Sequence, residues 1–302
     1  MSKTFKLDSE VKQQLLKRSD AKGLAQMAGH LVLLLLAGLG VHFSSGSLWI
    51  VLTLPFYGAV MIFLFAPLHE TIHYTAFESK WLNNVVAATI GFLLLLPYRF
   101  FRAFHYAHHR YTQDRERDPE LFENKPESRC EWAWRVSGLP VWREHLLGIW
   151  RHALGNVDNA EGNVEKGFIE EHKHVVIIQE ARVHLALYVL VILLSLIFSS
   201  AFIWWYWILP LLIGQPILRL FLLAEHTGCD CSDNMLENSR TTYTSPFMTF
   251  LCWNICYHAE HHYLAAVPFH ALPAMHVHTG ALVKHKGDGY YNVNREIFAQ
   301  LK

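Results

Sequence analysis

Apolar positions in this chain fall into long runs rather than alternating with polar ones. Leu24 to Val41 and Leu48 to Leu68 are nearly unbroken apolar stretches of about 18 and 21 residues, close to the length a helix needs to cross the hydrocarbon core. The turn between them, HFSSGS, is short enough for a helical hairpin. A second pair, Val183 to Trp204 and Trp205 to Ala224, has little polar sequence between its halves. There, Trp204, Trp205, Tyr206 and Trp207 suit an interfacial aromatic belt. The pattern predicts an all-α membrane protein with four transmembrane helices in two hairpins. A fifth stretch, Trp81 to Leu96, is short for a span and is interrupted by Gly91, with Pro97 after it. A crossing there would put the histidines near residue 70 and those near residue 105 on opposite faces, so residues 81–96 are read as a re-entrant or interfacial helix.

The first 23 residues are polar and form no cleavable signal pattern, so they are expected to persist as a cytosolic N-terminal segment, with residues 24–302 as one membrane domain. Residues 110–182 are charged and read as cytosolic helices and loops that form a cap. Lys and Arg crowd the N-terminal segment, residues 99–182 and the tail, while both hairpin turns have none. The positive-inside rule therefore places both termini and the cap on the cytoplasmic side.

Composition agrees with a membrane setting. Of 302 residues 52% are hydrophobic and 14% aromatic, above the usual range for a soluble enzyme. Basic and acidic residues balance at 26 each, which gives no support to a nucleic-acid partner. Five cysteines (Cys130, Cys229, Cys231, Cys252 and Cys256) lack a C-x-x-C pair, so neither a disulfide framework nor a thiolate zinc site is indicated.

The 20 histidines change the picture. Eight stand in three clusters: His69 and His73 in HETIH, His105, His108 and His109 in HYAHH, and His258, His261 and His262 in HAEHH. On a helix, positions i, i+3 and i+4 share one face, so each cluster can aim two or three imidazoles at one point. Each follows an apolar segment, so all three can meet on one surface just outside the lipid. A ninth candidate, His226, ends the fourth apolar run beside Glu225, where an ionisable pair is costly unless it is engaged. Eight or nine nitrogen donors exceed what one zinc takes and suit two ions. Imidazole accepts zinc, copper, iron and nickel alike, so spacing predicts a cage without naming its metal. A redox metal, iron, accounts best for such a cage facing a membrane.

Two rival readings are weaker. HETIH fits the His-Glu-x-x-His pattern of zinc proteases, with Glu70 as base, but leaves the other two clusters unexplained, and the Asp-Gly at 288–289 lies in the hydrophilic tail. A metal transporter would carry ionisable groups along its spans; here the spans contain almost none, with His30 and His42 near the first and Arg219 near the fourth.

One H-x-x-x-H and two H-x-x-H-H boxes around two apolar hairpins resemble the membrane fatty acid desaturase and hydroxylase superfamily of non-haem di-iron proteins. Phe77 after the first box, Asp118-Pro119 after the second and Asn254 before the third extend the likeness, and NSRTT, YHAEHH and VPFHALP resemble its bacterial branch. The resemblance implies two iron ions on His69, His73, His105, His108, His109, His226, His258, His261 and His262, with dioxygen as co-substrate. It implies attack on an unactivated aliphatic C–H bond of a lipid or similar apolar substrate, by desaturation first and hydroxylation second. The chain lacks the His-Pro-Gly-Gly mark of a fused haem domain, so a separate ferredoxin-like or b-type haem protein is expected as electron donor. Glu70, Asp118, Glu225, Asn254 and Glu260 are candidates for orienting the imidazoles from behind. Arg99, Arg102 and Arg110 serve either as membrane anchors or as holders of an anionic headgroup.

Overall fold

The computed structural model describes residues 6–121, 125–157 and 167–302; parts of the polar N-terminal segment and of the expected cap lie outside these. After a short helix α1 (Ser9–Leu15), Ser19 caps α2 (Asp20–Ser44) by accepting from the Lys22 amide. The second apolar run forms α3 (Ile50–Ile62) and α4 (Phe65–Ile72), which together make one candidate span. Then follow α5 (Lys80–Leu93) and α6 (Tyr98–Tyr111), α7 (Arg129–Val136) and α8 (Leu139–Ala153). The long α9 (Glu171–Ile197) leads through a π-helical turn, Trp204–Ile208, into α10 (Leu209–His226).

Four helical segments are long and apolar enough to cross a membrane: Asp20–Ser44, Ile50–Ile72, Glu171–Ile197 and Trp204–His226. Their bounds differ from the sequence expectation most at the third, which begins at residue 171 rather than 183 because the polar stretch EHKHVVIIQEAR contains no helix breaker and continues the same helix. Little of α2 and α9 is buried, 22% and 17% of their apolar windows, against 61% and 50% for the second and fourth segments. Leu35, Leu36, Leu193 and Ile197 on those outer helices are exposed side chains that only a hydrocarbon solvent would accept in such numbers.

The inner pair, α3 and α10, packs most closely, and two glycines allow it. A Cβ on Gly58 would stand 2.6 Å from the Pro210 carbonyl oxygen, and Gly214 faces Gly58 from the other side. Small residues at such a crossing let backbones approach where helices gain nothing from excluding water. α2 lies along α3, whereas α9 packs chiefly on α8 and α6 rather than along α10.

Between α5 and α6 the chain bends by 101°. Leu95 adopts φ +54° in this bend, and Gly91 allows the Leu96 carbonyl to approach within 2.7 Å of where a Cβ would stand. The bend returns α6 to α4, so that the rings of His69 and His105 lie 4.4 Å apart.

The C-terminal region departs from the all-α expectation. After α11 (Met235–Asn238), strand β1 (Arg240–Tyr243) pairs in parallel with β2 (His285–Asp288), with Arg240 opposite His285. The partners are far apart in the chain and HKGD has no apolar alternation, so no local pattern marks the pairing. Between the strands lie α12 (Pro246–Leu251), α13 (His258–Tyr263) and α14 (Leu272–Thr279), and α15 (Tyr290–Gln300) closes the described chain against α10.

Candidate metal centre

His69 lies in the last turn of α4, with His73 at its C-cap; His105, His108 and His109 share one face of α6; His258, His261 and His262 occupy α13; His226 ends α10. The fold brings all nine together in two groups.

In the first group the ring nitrogens of His69, His73, His105, His109 and His261 offer ligand atoms that all lie within 4.8 Å of one another. Nε2 of His109 is 2.9 Å from Nε2 of His105 and 3.1 Å from Nε2 of His261. Both nitrogens of His69, Nε2 of His73 and Nδ1 of His105 and His261 are buried without a hydrogen-bond partner. Buried polar atoms are nearly always satisfied, so this many unpaired nitrogens around one cluster fit a donor set for a cation.

The second group, His108, His226 and His262 with His258 beside them, allows the tautomers to be assigned. Asp118 Oδ1 is 2.9 Å from His108 Nδ1 and can only accept, so Nδ1 carries the proton and Nε2 a lone pair. His226 Nδ1 donates in the same way to the Asn238 carbonyl at 3.1 Å. The Thr112 hydroxyl spends its proton on the His108 carbonyl at 2.7 Å and therefore accepts from His262 Nδ1 at 3.2 Å. Glu225 Oε1 lies 3.3 Å from His258 Nδ1, outside good hydrogen-bonding geometry but close enough to favour a proton there. Each Nε2 is then an unprotonated donor facing its neighbours: His226 Nε2 is 3.2 Å from that of His108 and 2.9 Å from that of His258. Lone pairs so directed repel unless a cation lies among them. The group of five imidazoles and the group of three, with His258 beside it, each offer a donor set able to hold a metal ion.

Electrostatics keep the α13 imidazoles neutral and ready to ligate. Burial above all pushes His261 down to about 3. Burial and then His109 hold His262 well below the ordinary histidine range.

Around the imidazoles, the anticipated carboxylates divide. Asp118 behaves as expected and also accepts from the Gln113 and Glu120 amides, at 2.9 and 3.0 Å, which fixes its orientation. Glu225 faces His258. Glu70 is 3.9 Å from His69 Nδ1, but its other oxygen holds the Thr75 hydroxyl at 2.7 Å and the Phe269 amide at 3.2 Å, so it ties the first box to the loop after the third. Glu260 does not contact the box imidazoles. It sits between them on α13, points to the opposite side, and binds Thr241 and Nδ1 of His276, the latter at 2.5 Å. Asn254 likewise turns away, donating to the Phe269 carbonyl at 3.1 Å. Arg102 is spent on the Ile72 carbonyl and the Tyr74 hydroxyl, at 3.0 and 2.6 Å, and so clamps the end of the first box.

Residues that sequence reasoning passed over include Thr112, Gln113, Lys125 and His276. Gln113 donates to the His226 carbonyl at 2.8 Å, and Lys125 bonds both Gln113 and that carbonyl, at 2.6 and 3.1 Å. The NSRTT segment carried a signal for part of this shell, since Asn238 and Thr241 both lie in it.

A cavity of about 580 Å³ borders the second group at His108 and His226. Leu94, Leu95, Phe100, Phe101 and Phe104 supply an apolar wall, and Lys125, Arg135 and Arg151 lie at more polar parts of its lining.

Fold and site together define an integral membrane protein with a buried pocket of imidazoles able to hold metal. The chain belongs to the fatty acid desaturase family, whose sequence pattern matches residues 20–293. It is 33% identical over 75 residues, 25% of this chain and 19% of the relative, to an omega-6 fatty acid desaturase, endoplasmic reticulum isozyme 1, of Glycine max. It is 29% identical over 92 residues to a Delta(12)-fatty-acid desaturase of Arabidopsis thaliana, covering 30% of this chain and 24% of the relative. A Delta(12) acyl-lipid conjugase (11E,13E-forming) of Momordica charantia is 28% identical over 92 residues, 30% of this chain and 23% of the relative. The matched stretches thus span less than a quarter of these relatives.

Proposed function

We propose that this protein is a membrane desaturase that removes hydrogen from an unactivated aliphatic segment of a fatty acyl chain or similar lipid, using dioxygen and electrons from a separate ferredoxin-like or b-type haem protein. The observation that carries this reading is the pair of buried imidazole groups, the second of which borders an apolar-walled cavity. Two iron ions held there would supply the redox chemistry that reduces dioxygen and takes hydrogen from carbon. The protein's own part is to keep the ligands neutral by burial, to orient them through Asp118, Thr112, Asn238 and Glu225, and to seat the substrate chain. Leu94, Leu95 and the Phe100–Phe104 wall form the bed for that chain, since ligand pockets are mostly apolar with a few polar groups. Hydroxylation of the same carbon is the second reading: the ligand set serves both, and the desaturase and conjugase names of the relatives favour unsaturation. The spans follow one another along the chain as two hairpins, residues 81–96 re-enter from the cytoplasmic side, and the cap and both termini face the cytoplasm, a sidedness that the charge distribution supports.

Lipid extracts of cells expressing the protein, compared with cells expressing His261→Ala, test the proposal. Unsaturated or hydroxylated products are expected from the first and absent from the second. A changed profile that persists in the variant contradicts the site.

A further inference from the structure

The bend between α5 and α6 turns the chain by 101°. It interrupts a helical hydrogen-bond ladder next to candidate membrane spans: the Gly91 and Phe92 carbonyls accept from the Leu96 and Leu95 amides within the bend, while amides at the start of α6 lack helical partners. The residues that meet these groups come from the third and fourth spans. The Tyr188 hydroxyl donates to the Phe92 carbonyl at 2.9 Å, and Trp207 Nε1 donates to the Leu93 carbonyl at 2.6 Å. On the other side, Glu180 Oε2 accepts from the Arg99 amide at 3.0 Å, with the Tyr98 amide beside it. Donors thus meet the carbonyl end and a carboxylate meets the amide end. α6 has no side-chain cap of its own, because its N-cap residue is Pro97.

Glu180 and Tyr188 stand eight residues apart on α9, on one face of the helix, with His184 between them, 3.4 Å from the Tyr188 hydroxyl. A carboxylate this buried is expensive unless it is hydrogen-bonded, and so calls for a role. Its Oε1 has no hydrogen-bond partner, so the contact with α6 is what holds the side chain there.

We propose that Glu180 is a positioning residue for the metal centre: from α9 it caps α6, and so fixes the helix on whose far turns His105, His108 and His109 stand. This inference rests on reading the histidine cluster as a metal centre. The geometry requires an acceptor oxygen at that distance and does not require a charge, which separates three substitutions. Glu180→Gln keeps an oxygen at the same reach, Glu180→Asp keeps the charge but withdraws the oxygen by one methylene, and Glu180→Ala removes both.

The test is hydrogen–deuterium exchange of the purified protein in detergent, with metal content measured on the same samples. In Glu180→Ala and Glu180→Asp, amides in the first turn of α6 are expected to exchange at least several-fold faster, and bound metal is expected to fall. In Glu180→Gln both are expected to match the parent protein. If Glu180→Ala does not yield folded protein, the Gln and Asp variants carry the comparison alone. Unchanged α6 exchange in the Asp variant, or a Gln variant as impaired as Asp, overturns the proposal. Parent protein that binds no metal yet shows the exchange pattern would refute the metal reading and leave the cap standing, so the two failures are distinguishable.

Discussion

Asp118 and Thr112 decide which nitrogen His108 and His262 present to the pocket. A carboxylate that accepts from Nδ1 fixes the other nitrogen as a donor lone pair, and loss of such a partner typically costs about 10–100-fold in metal affinity or activity. Asp118→Ala is therefore expected to lower metal retention or product formation by about that factor while the protein still folds, as measured by metal titration of chelator-treated protein. An unaltered affinity would mean that the Asp118 contact does not orient a ligand. Histidine spacing was legible in the sequence because i, i+3 and i+4 share a helix face, and the fold gathers all nine candidates. The partners behind them were only half legible. Glu260 adjoins His261 in sequence but falls on the opposite side of the helix from His258, His261 and His262, which sends its carboxylate to Thr241 and His276. Thr112, Gln113 and Lys125 belong to no motif and reach the site only through the turn after α6 and the segment beyond it.

Among the helices, the spans were readable from apolar length alone, since a bilayer demands about 20 such residues. Pairing was not readable in the same way. The closest packing joins α3 to α10 across the two sequence pairs, and the glycines that permit it, Gly58 and Gly214, look like any other glycines in an apolar run. Gly58→Val is expected to destabilise the protein by about 1–3 kcal/mol, the usual range for overpacking a close-fitted contact. Gly148→Ala on α8, where a Cβ would meet nothing within 4 Å, is expected to be neutral or stabilising by up to about 1 kcal/mol. Thermal unfolding in detergent distinguishes them, and equal effects of the two would argue against the tight crossing. The β1–β2 pairing was illegible for a different reason: its strands are four residues each and its register is set by elements far apart in sequence.

For the molecule as a whole, burying so many neutral imidazoles ties stability to pH. His261 and His145, both pushed down to about 3 by burial, would titrate near 6.5 in an unfolded chain. Between those values the unfolded chain binds protons that the metal-free folded chain refuses, so stability is full above pH 6.5 and declines as pH falls towards about 3. Metal-free protein is accordingly expected to melt at lower temperature at pH 5.5 than at pH 7.5; an unchanged or higher melting temperature would contradict the buried, neutral state of these rings. Binding metal adds to the effect, because each proton that enters a ligand must displace the ion. The whole account depends on two metal ions lying among the nine imidazoles. Elemental analysis of purified active protein tests this most directly: it predicts two irons per chain, and a single zinc with no iron, or full activity without bound metal, would contradict it.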